Sequence, residues 1–166
     1  AEDLKTHLYI VASDEMEGRE TGSAGQKKAG QYLIKQYEKN NVPFPKGATN
    51  YYQPIPAAYL NKKYGEKLGD SENIWAYIEG SEKPNEILII SAHYDHVGIK
   101  NGEVYNGADD DGSGTVAIME IAAAFQKAKN ENSIFSKNKI WQRFHLQSYS
   151  SRFRKSTSFD CQPIAE

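Results

Sequence analysis

Cysteine is almost missing: among 166 residues only Cys161 occurs. One thiol excludes an internal disulfide and any zinc site built from several cysteines. An excess of one charge is missing too. Twenty Lys+Arg against 22 Asp+Glu leave a formal net charge of −2, which gives no general argument for nucleic acid or a membrane surface as partner. No apolar run approaches the roughly 18 residues that a membrane-spanning helix needs. The sequence starts at Ala1 without a methionine or a signal-type apolar segment, so a mature form or a fragment is expected. Its length suits one domain with a sizeable core.

Glycine is absent from one region only. Residues 1–130 hold all 13 glycines, with 14 Lys+Arg and 19 Asp+Glu, a balance of −5. Residues 131–166 hold none, with 6 Lys+Arg and 3 Asp+Glu, a balance of +3, and carry seven of the 13 serines. That tail shows no sustained helical or strand period. A boundary near Asn130 follows, with 131–166 read as disordered or as sequence foreign to the fold. Six cations spread among serines and hydrophobes are weak evidence for a nucleic-acid arm.

Residues 1–130 read as α/β. Leu4, Leu8 and Val11 recur at i, i+4 and i+7, as in a short amphipathic helix on which His7 is a surface residue. "DEMEGRETG" is a polar, glycine-punctuated loop. Ser23 and Gln26 stand at capping-box spacing before a helix with Ala29, Tyr32, Leu33 and Tyr37 on one face. The four prolines of "VPFPKGATNYYQPIPAAYL" predict extended or edge structure. "NIWAYIEG" and "EILIISAHYD" are strands, and "SEKPN" between them reads as a hairpin turn. "IKNGEV" carries an Asn-Gly turn and predicts a second, small hairpin. "SGTVAIMEIAAAFQKAKN" is apolar nearly all round, as a buried helix would be. Helices and strands in this order point to a sheet covered by helices.

The chemistry concentrates in "SAHYDHVGIKNGEVYNGADDDGSG". His93 and Asp95 follow an apolar strand at its C-terminal end, the edge where open α/β sheets bind ligands. Strand period puts both on one side. A carboxylate there can take the imidazole N–H, fix the tautomer and leave the other nitrogen for a metal. Asp109, Asp110 and Asp111 then stand in a glycine-flanked loop before a helix. Adjacent carboxylates repel, and a cation would offset that. Asp109 could bridge two ions 3.5–4 Å apart, and a histidine donor tilts the choice toward zinc. The bland reading stays open: the aspartates could cap the helix or bind calcium, and His96 could stand behind a ligand or face solvent rather than bind metal.

"HYDH" paired with "NGADDDGSG" and an Ala-rich helix resembles the metal-binding core of the co-catalytic di-zinc aminopeptidases, a group that also includes glutaminyl cyclases and glutamate carboxypeptidase. "LYIVASDEMEGRETGSAGQKKAGQYL" resembles the opening segment of its bacterial members, so the similarity covers most of residues 3–130. The resemblance implies a three-layer α/β/α fold with a mixed central sheet, incomplete at the C-terminus. It implies two Zn²⁺ per complete site, with His93 as a ligand of one zinc, Asp95 orienting it as a catalytic-site residue, and Asp109 bridging both. It also implies a cis peptide bond from Asp109 to Asp110. The implied activity is aminopeptidase action, by metal-activated water, on peptides with a free N-terminus, in an exported (periplasmic or extracellular) protein. It assigns no oligomeric state. The family's adjacent Glu-Glu pair, proton carrier and zinc ligand, should follow the next strand. Past Asn130 there is no Glu-Glu. The sequence therefore reads as an interrupted, inactive peptidase with a wrong-frame end. A non-catalytic metal- or partner-binding remnant and a glutaminyl-cyclase-like acyltransferase are the alternatives.

Overall fold

The computed structural model describes residues 2–65, 67–80, 83–130 and 138–144. Helices α1 (Glu2–Val11), α2 (Ala24–Lys39), α3 (Ala57–Tyr64) and α4 (Ser113–Asn130) accompany a four-stranded sheet. Its strands are β1 (Tyr52–Ile55), β2 (Ser71–Ile78), β3 (Lys83–Ala92) and β6 (Asn138–Phe144). A separate hairpin joins β4 (Gly98–Lys100) to β5 (Glu103–Tyr105). No described helix is long and apolar enough to cross a membrane.

The sheet order is β1-β2-β6-β3. β6 runs antiparallel to β2, with Ile74 opposite Phe144, and parallel to β3, with Leu88 opposite Ile140. This makes the sheet mixed, as expected. It also overturns two expectations. β2 and β3 do not form a hairpin, because a strand from much later in the chain takes the place between them. And part of the stretch that carries no strand period, Asn138–Phe144, is a strand flanked on both sides. A strand with neighbours on both edges is fixed by its backbone ladder and does not need alternating side chains. The rest of the 131–166 tail lies outside the described residues. β1, which contains Pro54, lies at the sheet edge, where a missing N–H is tolerated. α3 was not foreseen in that proline-rich stretch. Pro56 stands just before it, and Gly65 closes it in the left-handed conformation.

The core lies between the sheet and α2 and α4. Leu33 and Tyr37 from α2, Ile74 and Ala76 from β2, and Met119 and Ala122 from α4 are buried in one cluster. A buried leucine of this kind contributes roughly 1.5–3 kcal/mol. The Ser23 hydroxyl caps α2 by accepting from the Gln26 N–H at 3.2 Å. Gln26 Oε1 reaches back to the Gly22 N–H (2.6 Å) and the Ser71 hydroxyl (2.8 Å), tying the helix start to β2. Among the described residues, β3 has no partner on its outer edge. Its Ile87 and Ile89 are 58% and 59% exposed.

The Asn101-Gly102 turn forms as predicted, with both residues at positive φ. The hairpin it closes packs on the turns at Asp14–Arg19, and Gly18 is the point of closest approach. Its φ is +65°, and a Cβ there would stand 2.4 Å from the Gly98 carbonyl oxygen.

Candidate metal centre

His93 and Asp95 leave the C-terminal end of β3, and Asp109–Asp111 occupy a tight turn at Ala108–Gly112 that leads into α4. The turn and the strand end are fastened to each other. The Asp111 carboxylate accepts from the His93 N–H (3.3 Å) with one oxygen and from the Gly114 N–H (3.2 Å) with the other. The buried Thr115 hydroxyl donates to the His93 carbonyl at 2.9 Å. Gly107 must be glycine: its φ is +55°, and a Cβ would lie 2.5 Å from the His96 ring.

His93 is held on both ring nitrogens. Nδ1 lies 3.0 Å from the Asp95 carbonyl oxygen and 3.6 Å from its carboxylate. Asp95 is 1% exposed, and its other carboxylate oxygen accepts from the Thr21 hydroxyl at 2.5 Å. Asp95 thus lies against Nδ1 of the ring, with its backbone carbonyl as the nearer acceptor. Nε2 points at a carboxylate oxygen of Asp110, 3.0 Å away. Burial disfavours the charged ring, but the hydrogen bonds and charge of Asp95, with Asp111 behind, outweigh it and raise His93 to about 9. In the metal-free protein the ring therefore favours its protonated form at neutral pH, with Nε2 facing Asp110.

The resemblance implies Asp109 as the bridging group; in the structure it is the neighbouring Asp110 that lies against the histidines. Asp109 is exposed, while Asp110 faces both His93 and, at 3.7 Å, His96 Nδ1. The cis peptide bond lies between Asp110 and Asp111, one residue later than expected. Sequence could not distinguish three identical side chains in a turn, where a shift of one residue redirects a carboxylate. Of the two places expected for His96, the structure gives the one behind Asp110 and not the one facing solvent: its Nδ1 is buried without a hydrogen-bond partner among the described residues. Burial, ahead of the neighbouring charges, lowers its pKa.

His7 is also more than a surface residue. Its Nδ1 meets the Tyr32 hydroxyl at 2.5 Å and its Nε2 meets Glu120 at 3.1 Å, linking α1, α2 and α4. Sequence reading missed Arg19 altogether. It is fully buried, and its guanidinium donates to the carbonyls of Val11 (2.6 Å), Tyr94 (2.7 Å), Asn106 (2.7 Å) and Gly107 (2.9 Å). Burial pulls it down to about 10 against the opposing pull of Asp95, Asp110 and Asp111. An arginine in a polar, glycine-punctuated stretch carries no signal of burial.

The donor set, an imidazole nitrogen converging on a carboxylate with an unbonded imidazole nitrogen beside it, fits the start of a zinc shell. It does not complete one. Among the described residues no group of three or more His, Cys, Asp or Glu is arranged to hold a metal ion.

Residues 73–139 match the profile of Peptidase family M28, so the match runs through the Asn130 composition shift and into the start of β6. Leucine aminopeptidase 1 of Trichoderma harzianum is 46% identical over 50 residues, which are 29% of this chain and 13% of that protein. Among solved structures, a Zn-dependent exopeptidase from Parabacteroides distasonis aligns with TM-score 0.60 at 20% identity, over 91% of this chain and 51% of that one. A glutaminyl cyclase from Bacteroides thetaiotaomicron aligns with TM-score 0.62 at 18% identity, over 94% and 50%. The fold is that of the zinc exopeptidases and glutaminyl cyclases, and the chain spans about half the length of these two structures.

Proposed function

We propose that this chain is the front part of a zinc-dependent aminopeptidase of the M28 type, acting on peptides with a free N-terminus. The observation that carries the reading is the convergence of His93 Nε2 and the Asp110 carboxylate at the end of β3, inside the segment that matches the peptidase family. His93 and Asp110 would hold zinc, with Asp110 in the bridging place first given to Asp109; a complete site would hold two ions. Bound zinc would supply an activated water and a polarised substrate carbonyl. This chain's own contribution is positioning. Asp95 holds the His93 ring, and Thr21 holds Asp95. Asp111 and Thr115 fix the His93 backbone. For metal to enter, the Nε2 of His93 must be free of its proton.

The proton-carrying step belongs to a glutamate pair that should follow β6. The sequence there reads His145-Leu146-Gln147, with no Glu-Glu anywhere beyond. The chain is inactive by itself on this reading, and the wrong-frame end, first placed from residue 131, begins after β6. An exported location accompanies the proposal. The test is turnover of an aminoacyl chromogenic substrate with and without Zn²⁺. The chain as it stands should give none. A version continued in the alternate reading frame past β6 should contain Glu-Glu and hydrolyse the substrate, and His93→Ala should abolish this. Turnover by the present chain, or alternate frames holding only stop codons, would overturn the account. Cyclisation of an N-terminal glutamine by the continued version, without hydrolysis, would favour the glutaminyl-cyclase reading.

A further inference from the structure

The geometry points to Arg19 as the positioning residue that sets the separation of the two halves of this site, the His93–Asp95 strand end and the Asp109–Asp111 turn. Between those halves the chain makes an excursion through the β4–β5 hairpin. Arg19 closes the base of that excursion. On the entry side its Nε donates to the Tyr94 carbonyl, between His93 and Asp95, and its own carbonyl accepts the His96 N–H at 2.9 Å. On the exit side Nη1 and Nη2 donate to the Asn106 and Gly107 carbonyls, immediately before the aspartate turn. Nη1 also donates to the Val11 carbonyl, which anchors the fork to the end of α1. All four bonds go to backbone, from one fully buried side chain.

A planar guanidinium presents several donors in fixed directions, whereas an ammonium is a compact point charge. Lysine at this position would keep a positive charge toward Asp95, Asp110 and Asp111. It could not span carbonyls on both sides of the excursion. Charge and fork can therefore be separated by one substitution. The metal arm of the test rests on the zinc reading; the exchange arm does not.

The experiment compares the wild-type chain, R19K, R19M and, as a general core lesion, L33A. Thermal unfolding is followed by circular dichroism, backbone amide hydrogen exchange by mass spectrometry, and Co²⁺ binding by calorimetry. R19K should melt cooperatively, exchange at least tenfold faster in residues 93–97 and 106–112, and leave β2 and α2 as protected as in wild type. Its Co²⁺ affinity should fall tenfold or more, and R19M should match or exceed both effects. L33A should instead loosen β2 and α2. Wild-type exchange in R19K, or loosening that extends to β2 and α2 as in L33A or in an unfolded chain, overturns the assignment. If the wild-type chain binds no Co²⁺, the half-site is too incomplete to hold metal by itself and the exchange arm alone decides the role of Arg19.

Discussion

Raising the pH through the range of His93 should destabilise the metal-free protein, by an amount the site geometry sets. The ring lies between Asp95 and Asp110, and its pKa rises from 6.5 to about 9. Folding therefore favours the protonated ring. The added stability is fully present below pH 6.5, where the unfolded chain's histidine is also charged, and drains away as the pH climbs from 6.5 through 9. A displacement of that size is worth about 3 kcal/mol, at about 1.4 kcal/mol per tenfold change in proton affinity. For a domain whose whole stability is of order 5–15 kcal/mol, that is a substantial part. Urea unfolding in chelator-treated buffer measures it, comparing wild type with His93→Asn at pH 6 and pH 9.5. Tyrosines and lysines titrate in both proteins and cancel in the difference. The wild-type advantage should shrink by about 2–3 kcal/mol across that interval. A constant gap, or one that widens with pH, would refute the raised proton affinity that Asp95 and Asp111 give His93.

Other outcomes follow from the same geometry. Zinc should bind the present chain weakly and below two ions per chain, because zinc sites draw on three or four protein ligands; tight binding of two ions in calorimetry would contradict this. Asp110→Asn should cost at least tenfold of whatever metal affinity the chain shows, and Asp109→Asn less than twofold. Ser23→Ala should lower unfolding stability by about 1 kcal/mol through the lost α2 cap, read from urea midpoints. Ile89→Lys should raise the monomer fraction in sedimentation, because it charges an exposed apolar strand that has no outer partner among the described residues.

Local signals made much of this architecture legible. The Ser23 cap, the Asn-Gly turn and the apolar α4 are each specified by neighbours within a few residues, and each formed where the pattern put it. The pairing of strands was not legible in this way. "SEKPN" looks like a turn between partners, yet the partner of both strands is supplied more than fifty residues later, and no short-range pattern carries that information. The site divides along similar lines. His93 and Asp95 stand out by type and spacing, because strand period fixes where they point. Asp110 could not be separated from Asp109, since the direction of a side chain in an irregular turn depends on backbone angles that three identical residues do not reveal. Arg19 was invisible for another reason: its partners are all carbonyls, and carbonyls leave no trace in a sequence.

The place of β6 has a consequence for how the chain acquires its shape during synthesis. β1 and β2 can pair early. β3 leaves the ribosome soon after them but has no ladder to join until residues 138–144 emerge. Closing a parallel connection over that distance is slow compared with local hairpin and helix formation. For the intervening time Ile87, Leu88 and Ile89 are held on an unsatisfied strand, a species prone to mispairing with other nascent chains. A substitution in β6 that weakens its ladder should therefore lower the yield of folded protein in the cell more than it lowers the stability of the molecules that do fold.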